Sequence, residues 1–155
     1  MRLLVLFACV ATGIIAAWAT SRRSLPAAAR PDSMRVDLVV PPRVAPGAPV
    51  PIAIRIANTA DRPLELHLQG RTTVFDLIVS RGETVVWRRL EGVAAQAILQ
   101  LRMLAPGEVL ELKDTWGQVD RSGRPVGRGE YRVSAEVPTD AAPLEAGPLS
   151  FTIGG

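Results

Sequence analysis

The 155-residue chain holds a single cysteine, a single histidine, a single lysine and a single tyrosine. One cysteine cannot form an intrachain disulfide framework, and one cysteine with one histidine is too little for a structural zinc site. A Ser-His-Asp enzyme would have to be built on His67, which sits alone on the polar side of an alternating segment with no recognisable nucleophile beside it. Aromatic residues make up only 5% of the chain, so each large ring is a candidate core plug. No glycine-rich loop precedes a helical segment, and no basic run is interleaved with aromatics. Phosphate-loop chemistry and nucleic-acid binding are therefore not expected.

Positive charge is also scarce where it would matter for a polyanion. The formal net charge is +3, but Arg2, Arg22, Arg23 and Arg30 lie outside the segment that reads as a folded domain. Setting those four aside leaves 14 basic residues against 15 acids, so the domain itself is close to −1. The basic residues gather beside an apolar segment, where arginine can meet lipid headgroups.

That apolar segment, Leu3–Thr20, carries no charge, and as a helix its 18 positions would span about 27 Å, near the hydrocarbon thickness of a bilayer. Residues 1–20 are thus expected to be a transmembrane anchor or a signal segment; Ala17-Trp18-Ala19 has the small-x-small form that a signal peptidase accepts. Trp18 followed by Arg22 and Arg23 forms an aromatic-then-basic membrane interface. Ala8, Cys9, Thr12, Gly13, Ala16 and Ala17 make one smooth helix face, the kind that lets another membrane helix approach. Arginine counts mildly favour a cytoplasmic domain, whereas a basic start before an apolar run normally exports the chain behind it; export is the reading adopted. Residues 21–33, with Pro26 and Pro31, read as a linker.

From residue 34 the period is two. Arg35–Val40 reads as a strand, followed by a turn over Val44–Pro49. Ile52, Ile54 and Ile56 alternate with Ala53, Arg55 and Ala57, and Leu64, Leu66 and Leu68 alternate with Glu65, His67 and Gln69. Strands are expected over Val74–Ser80, Thr84–Arg89, Gln96–Leu104 and Val109–Lys113, around Tyr131–Val137 and at Leu149–Ile153. Only Val93–Leu101 could be argued as helix. About nine short strands with turns every 8–12 residues predict an all-β antiparallel sandwich over residues 34–155.

A series of motifs then lines up. Val74-Phe75-Asp76-Leu77 is followed by Gly82 and Val86-Trp87-Arg88, then by Leu104-Ala105-Pro106-Gly107-Glu108. Trp116 and Asp120 precede Gly123-Arg124-Pro125-Val126 and Gly129-Glu130-Tyr131-Arg132-Val133. In this order the segment from about 48 to 137 resembles the bacterial intracellular proteinase inhibitor family, the BsuPI domain. The resemblance implies an immunoglobulin-like sandwich and inhibition of a serine protease by an unanchored cytoplasmic protein. This chain differs in carrying the apolar N-terminal segment.

The motif residues themselves read as structural. Phe75, Trp87, Trp116 and Tyr131 are expected in the core, with Tyr131 resembling a tyrosine corner. Asp114 and Asp120 lack the alternating acidic ligands of a calcium loop and read as turn caps. Arg88-Arg89 could present a protease bait, but reads better as a solvated strand end. No catalytic residue, metal ligand or cofactor is expected. The leading expectation is a non-enzymatic, membrane-anchored, extracytoplasmic immunoglobulin-like module in the inner membrane. It would serve as an accessory subunit of a larger membrane complex, respiratory or photosynthetic for example, with the lipid bilayer and other membrane subunits as partners. The alternative is a proteinase inhibitor of the BsuPI type, with a serine protease as partner.

Overall fold

The computed structural model describes residues 33–93 and 98–154. The helix-packing residues Ala8, Cys9, Thr12, Gly13, Ala16 and Ala17, and the interface residues Trp18, Arg22 and Arg23, lie outside the described residues. No helix among the described residues is long and apolar enough to cross a membrane.

Ten strands follow in order: β1 (Met34–Val39), β2 (Arg43–Val44), β3 (Val50–Asn58), β4 (Leu64–Gln69), β5 (Asp76–Arg81), β6 (Thr84–Arg88), β7 (Leu99–Leu104), β8 (Val109–Trp116), β9 (Gly129–Val137) and β10 (Leu144–Ile153). They form a three-stranded sheet β1-β3-β8, a five-stranded sheet β2-β10-β9-β5-β6 and a two-stranded ribbon β4-β7. All pairings are antiparallel except β10 with β2.

Alternation decides which side of each strand is buried. β3 places Val50, Ile52, Ile54 and Ile56 inward, β9 places Tyr131, Val133, Ala135 and Val137 inward, and β4 contributes Leu64, Leu66 and Leu68. With Leu77 and Val79 of β5 and Phe151 and Ile153 of β10 they make one continuous apolar cluster. The layered all-β arrangement results, since each sheet must bury one apolar face against another.

Several boundaries differ from the sequence reading. Val93–Leu101 is not helical where described, because Leu99–Leu101 belongs to β7. β10 begins at Leu144, five residues before the expected Leu149. Its register against β9 shifts between Ala146 and Leu149, so the strict alternation that marks a strand is broken there. The two residues of β2 fall at the start of a Pro/Gly-rich turn and are legible only through their pairing with Thr152 and Ile153.

Two buried polar side chains tie the turns together. Asn58 donates from Nδ2 to the carbonyls of Arg62 (2.8 Å) and Leu104 (2.9 Å), and its Oδ1 accepts from the Ala60 N–H. The β3–β4 turn is thereby locked to the end of β7. Gln118 donates to the carbonyls of Ala45 and Ala48 and accepts from the Gly47 N–H, closing the 45–48 turn from across the fold. Neither role is visible in sequence, since the partners of Gln118 are about 70 residues away.

Candidate binding face and the ion-pair belt

Phe75, Trp116 and Tyr131 are buried, whereas Trp87 is only half-buried and packs against the cluster from its margin. Trp116 is the centre of an aromatic group. Its ring centroid lies 5.7 Å from Tyr131, 6.2 Å from Phe151 and 6.3 Å from Trp87. Its Nε1–H donates to the Val119 carbonyl at 2.9 Å. The Tyr131 hydroxyl donates to the Gly127 carbonyl at 2.6 Å, the loop-tying bond of a tyrosine corner. Trp87, expected in the core, thus packs against its margin and is less buried than Trp116. It lies on β6, an edge strand of the five-stranded sheet, which among the described residues pairs with β5 alone.

The arginine pair after Trp87 stands at the end of β6, where Arg88 is exposed, and both side chains are paired. Arg88 pairs through Nε with the buried carboxylate of Asp76, whose other oxygen accepts the Leu90 N–H at 3.0 Å. Arg89 pairs with Asp114, donates to the Phe75 carbonyl at 2.7 Å, and lies 4.0 Å over the Phe75 ring. Both guanidinium groups are held by β5 and β8, so neither side chain is offered to a protease as a flexible substrate. Partial burial pushes the Asp114 carboxyl up, but the hydrogen bonds from Arg89 and the Thr115 N–H, with the Arg89 charge, together hold it below the usual carboxylate range. An open hollow of about 410 Å³ beside this belt is lined by Asp76, Arg88, Glu91, Arg121 and Glu136. Its charges already answer one another, with Arg121 at 3.0 Å from Glu91.

Asp120 caps a turn. One of its oxygens accepts from the Ser122 hydroxyl and the backbone N–H groups of Ser122 and Arg124, which lowers its pKa to about 2. Among the described residues, no group of three His, Cys, Asp or Glu is placed to hold a metal ion.

His67 has the orienting acids that the sequence does not reveal. Its Nδ1 lies 2.6 Å from Asp140 Oδ2 and its Nε2 lies 2.6 Å from Glu65 Oε1. Glu65 first, and Asp140 second, raise the imidazole above its ordinary pKa, because hydrogen bonding to carboxylates favours the doubly protonated ring. With both ring nitrogens engaged by carboxylates, the ring is a strut between β4 and the β9–β10 loop. Glu65 could have been found from its i, i+2 spacing on one strand face; Asp140, 73 residues away, could not.

The same face carries the largest exposed apolar group among the described residues. Leu99, Leu101 and Met103 of β7 are 57%, 66% and 52% exposed. They stand opposite Gln69, His67 and Glu65. The structure therefore brings together a charged strut and an apolar row, where the sequence shows only an apolar strand of unknown facing.

The described residues thus form an all-β fold whose polar clusters are struts and caps, with an exposed apolar row on a sheet edge. The family comparison gives the class a name. The intracellular proteinase inhibitor model, BsuPI, matches residues 36–142, about two-thirds of the chain, and the chain belongs to that family. A search of curated proteins finds no match. Among solved structures, a β-glucosidase from Listeria innocua aligns with 79% of this chain at 12% identity and a TM-score of 0.42. The match takes in 16% of that enzyme. A Pseudomonas fluorescens alkylpurine DNA glycosylase aligns with 79% of this chain and 31% of its own at 14% identity, TM-score 0.43. A CARDB domain from Pyrococcus furiosus aligns with 79% and 93% at 15% identity, TM-score 0.40. None of these three reaches a TM-score of 0.5.

Proposed function

We propose that this protein is a non-enzymatic protein-binding module of the proteinase-inhibitor type, built on an immunoglobulin-like sandwich, with a serine protease as its target. The observation that carries this reading is the family match across residues 36–142, which runs from β1 past the end of β9. The arrangement at His67 agrees with it, since a ring held between two carboxylates serves as a strut. The test is a titration of a panel of subtilisin-type and trypsin-type proteases with the purified chain. Loss of activity that saturates at one equivalent, with the chain intact by mass spectrometry, is expected for one member. Progressive cleavage of the chain without inhibition of any protease would overturn the reading.

A second reading rests on the uncharged run Leu3–Thr20. In it, residues 1–20 anchor the chain in the inner membrane, residues 21–33 tether the domain on the extracytoplasmic side, and the module is an accessory subunit of a larger membrane complex. Extraction in mild detergent separates the two: this second reading requires stoichiometric membrane subunits to copurify, and the first does not.

A further inference from the structure

β7 carries its pattern outward. In a strand that covers a core, the apolar set faces in and the polar set faces water. In β7 only Leu104 is buried, while Leu99, Leu101 and Met103 face solvent. The alternate positions, on the side of Leu64, Leu66 and Leu68, carry the half-buried Gln100, which donates to the Thr73 hydroxyl, and Arg102, itself exposed, which pairs with Glu108 at 3.1 Å. These polar contacts fix the facing of the strand, so the outward row is part of the design of the ribbon.

The backbone adds a second observation. The Gly70 N–H donates to the Ile98 carbonyl at 2.7 Å, while the Gln69 N–H turns away from β7 to the Pro138 carbonyl. Bonded and non-bonded pairs alternate along an antiparallel ladder. Gln69–Leu99, His67–Leu101 and Glu65–Met103 are therefore the non-bonded pairs. It follows that the N–H and C=O groups of Leu99, Leu101 and Met103 point to the edge of β7 away from β4. Among the described residues, β7 pairs with β4 alone. The three residues that offer apolar side chains are thus the same three that offer ladder groups.

Charge supplies the third. Across the row from the open edge lie Glu65 and Asp140, two carboxylates sharing the one imidazole of His67. The site keeps a net negative charge even with the ring protonated.

We propose that β7 is an acceptor strand for an extended segment of the partner protein. The segment adds to the open edge, sets alternate apolar side chains against Leu99, Leu101 and Met103, and carries a lysine or arginine whose head reaches the Glu65–Asp140 carboxylates. Strand addition of this kind gains affinity from main-chain bonds and specificity from alternate side chains. Two strand spacings, about 10 Å, separate the added strand from β4. A long basic side chain from one side and a glutamate from the other cover that span across the apolar row. The inference rests on the protein-binding reading above and names its surface and the chemistry of its partner.

The test uses the full chain in mild-detergent micelles and two fluorescent octapeptides of alternating valine and threonine, one with a lysine at each end and one with a glutamate at each end. Anisotropy should show the lysine peptide binding about tenfold or more tightly than the glutamate peptide, a factor worth about 1.4 kcal/mol. Leu101→Ser and Leu101→Pro should each weaken the lysine peptide by about tenfold. The proline removes an N–H that faces the open edge and spares the ladder to β4; should it disturb folding by near-UV circular dichroism, the serine variant carries the test. Glu65→Gln should weaken the lysine peptide and leave the glutamate peptide unchanged. Val109→Ser, an exposed apolar position on β8, is the silent control.

Equal binding of both peptides, or full binding by Leu101→Ser, overturns the proposal. So does a dimer in sedimentation that Leu101→Ser dissolves, which gives the face to a second copy. Protection of β7 amides from hydrogen exchange in phosphatidylcholine vesicles but not in micelles gives the face to lipid and overturns it equally. Protease titration keeps the two levels apart. Inhibition retained by Leu101→Ser sinks the β7 surface and leaves the inhibitor reading standing. Peptide binding without inhibition of any protease does the reverse.

Discussion

Replacing Trp116 by alanine is the sharpest perturbation of the core. Trp116 is fully buried among Tyr131, Phe151 and Trp87, and its indole N–H satisfies the Val119 carbonyl. Truncation of a buried tryptophan typically costs about 3–5 kcal/mol through lost transfer energy and the cavity left behind. The loss of the N–H adds about 1 kcal/mol for the abandoned carbonyl. Against a total stability of about 5–15 kcal/mol, the variant should be marginal or unfolded at 25 °C. Trp87→Ala removes a half-buried ring from an edge strand and should cost about 1–2 kcal/mol, in proportion to the apolar area it covers. Trp116→Phe should fall between, since a ring remains while the hydrogen bond is lost. Urea unfolding of the three variants, followed by far-UV circular dichroism, reads the differences directly, provided the m-value is unchanged. A cost for Trp87→Ala equal to or above that of Trp116→Ala would refute this reasoning, because it would mean that burial does not rank the two rings.

Other expectations come from particular contacts. Asp76→Ala leaves the Leu90 N–H and the Arg88 guanidinium without their buried acceptor and should cost about 2–3 kcal/mol by chemical denaturation, less than a fully buried pair because Arg88 is itself partly exposed. Gly70→Ala should destabilise by about 2 kcal/mol or more, since φ at this residue is +91° and an added Cβ would sit 2.5 Å from both the Thr72 carbonyl oxygen and Val74 Cγ2. His67, titrated by NMR, should show a pKa above the unfolded value of about 6.5. Glu65→Gln should lower it more than Asp140→Asn. Because the folded pKa is the higher one, the strut's contribution is complete below the unfolded value and is lost as pH rises through the folded value. Amide exchange in the β9–β10 loop around Asp140 should quicken over that same interval.

Local features are the legible ones in this sequence. Ile52, Ile54 and Ile56, and Leu64, Leu66 and Leu68, declare both their strands and their buried sides, because a period of two is a property of neighbouring residues. Turn residues likewise locate the β5–β6 junction and the start of β8, while β8 runs on to Trp116, three residues past the expected Lys113. The facing of β7 is a different kind of fact. Its apolar alternation is plain, but an apolar set pointing outward reads the same as one pointing inward until Gln100 and Arg102 find Thr73 and Glu108. The partners of the arginine pair are hidden for the same reason: Asp76, Asp114 and the Phe75 ring lie 12, 25 and 14 residues from the arginine each one meets. Trp87 differs from Trp116 only because β6 ends a sheet, a consequence of topology. The candidate site is made almost wholly of such contacts, so the family resemblance is readable from motifs while the surface that would serve it is not.

The most direct measurement is an inhibition titration of the serine protease panel with equimolar wild-type chain and with Leu101→Ser, both verified as folded. One protease should lose its activity at one equivalent of wild type, with at least a tenfold weaker effect from the variant. Equal inhibition by both proteins would contradict the β7 surface, and no inhibition by either, with the chain degraded, would contradict the inhibitor assignment itself.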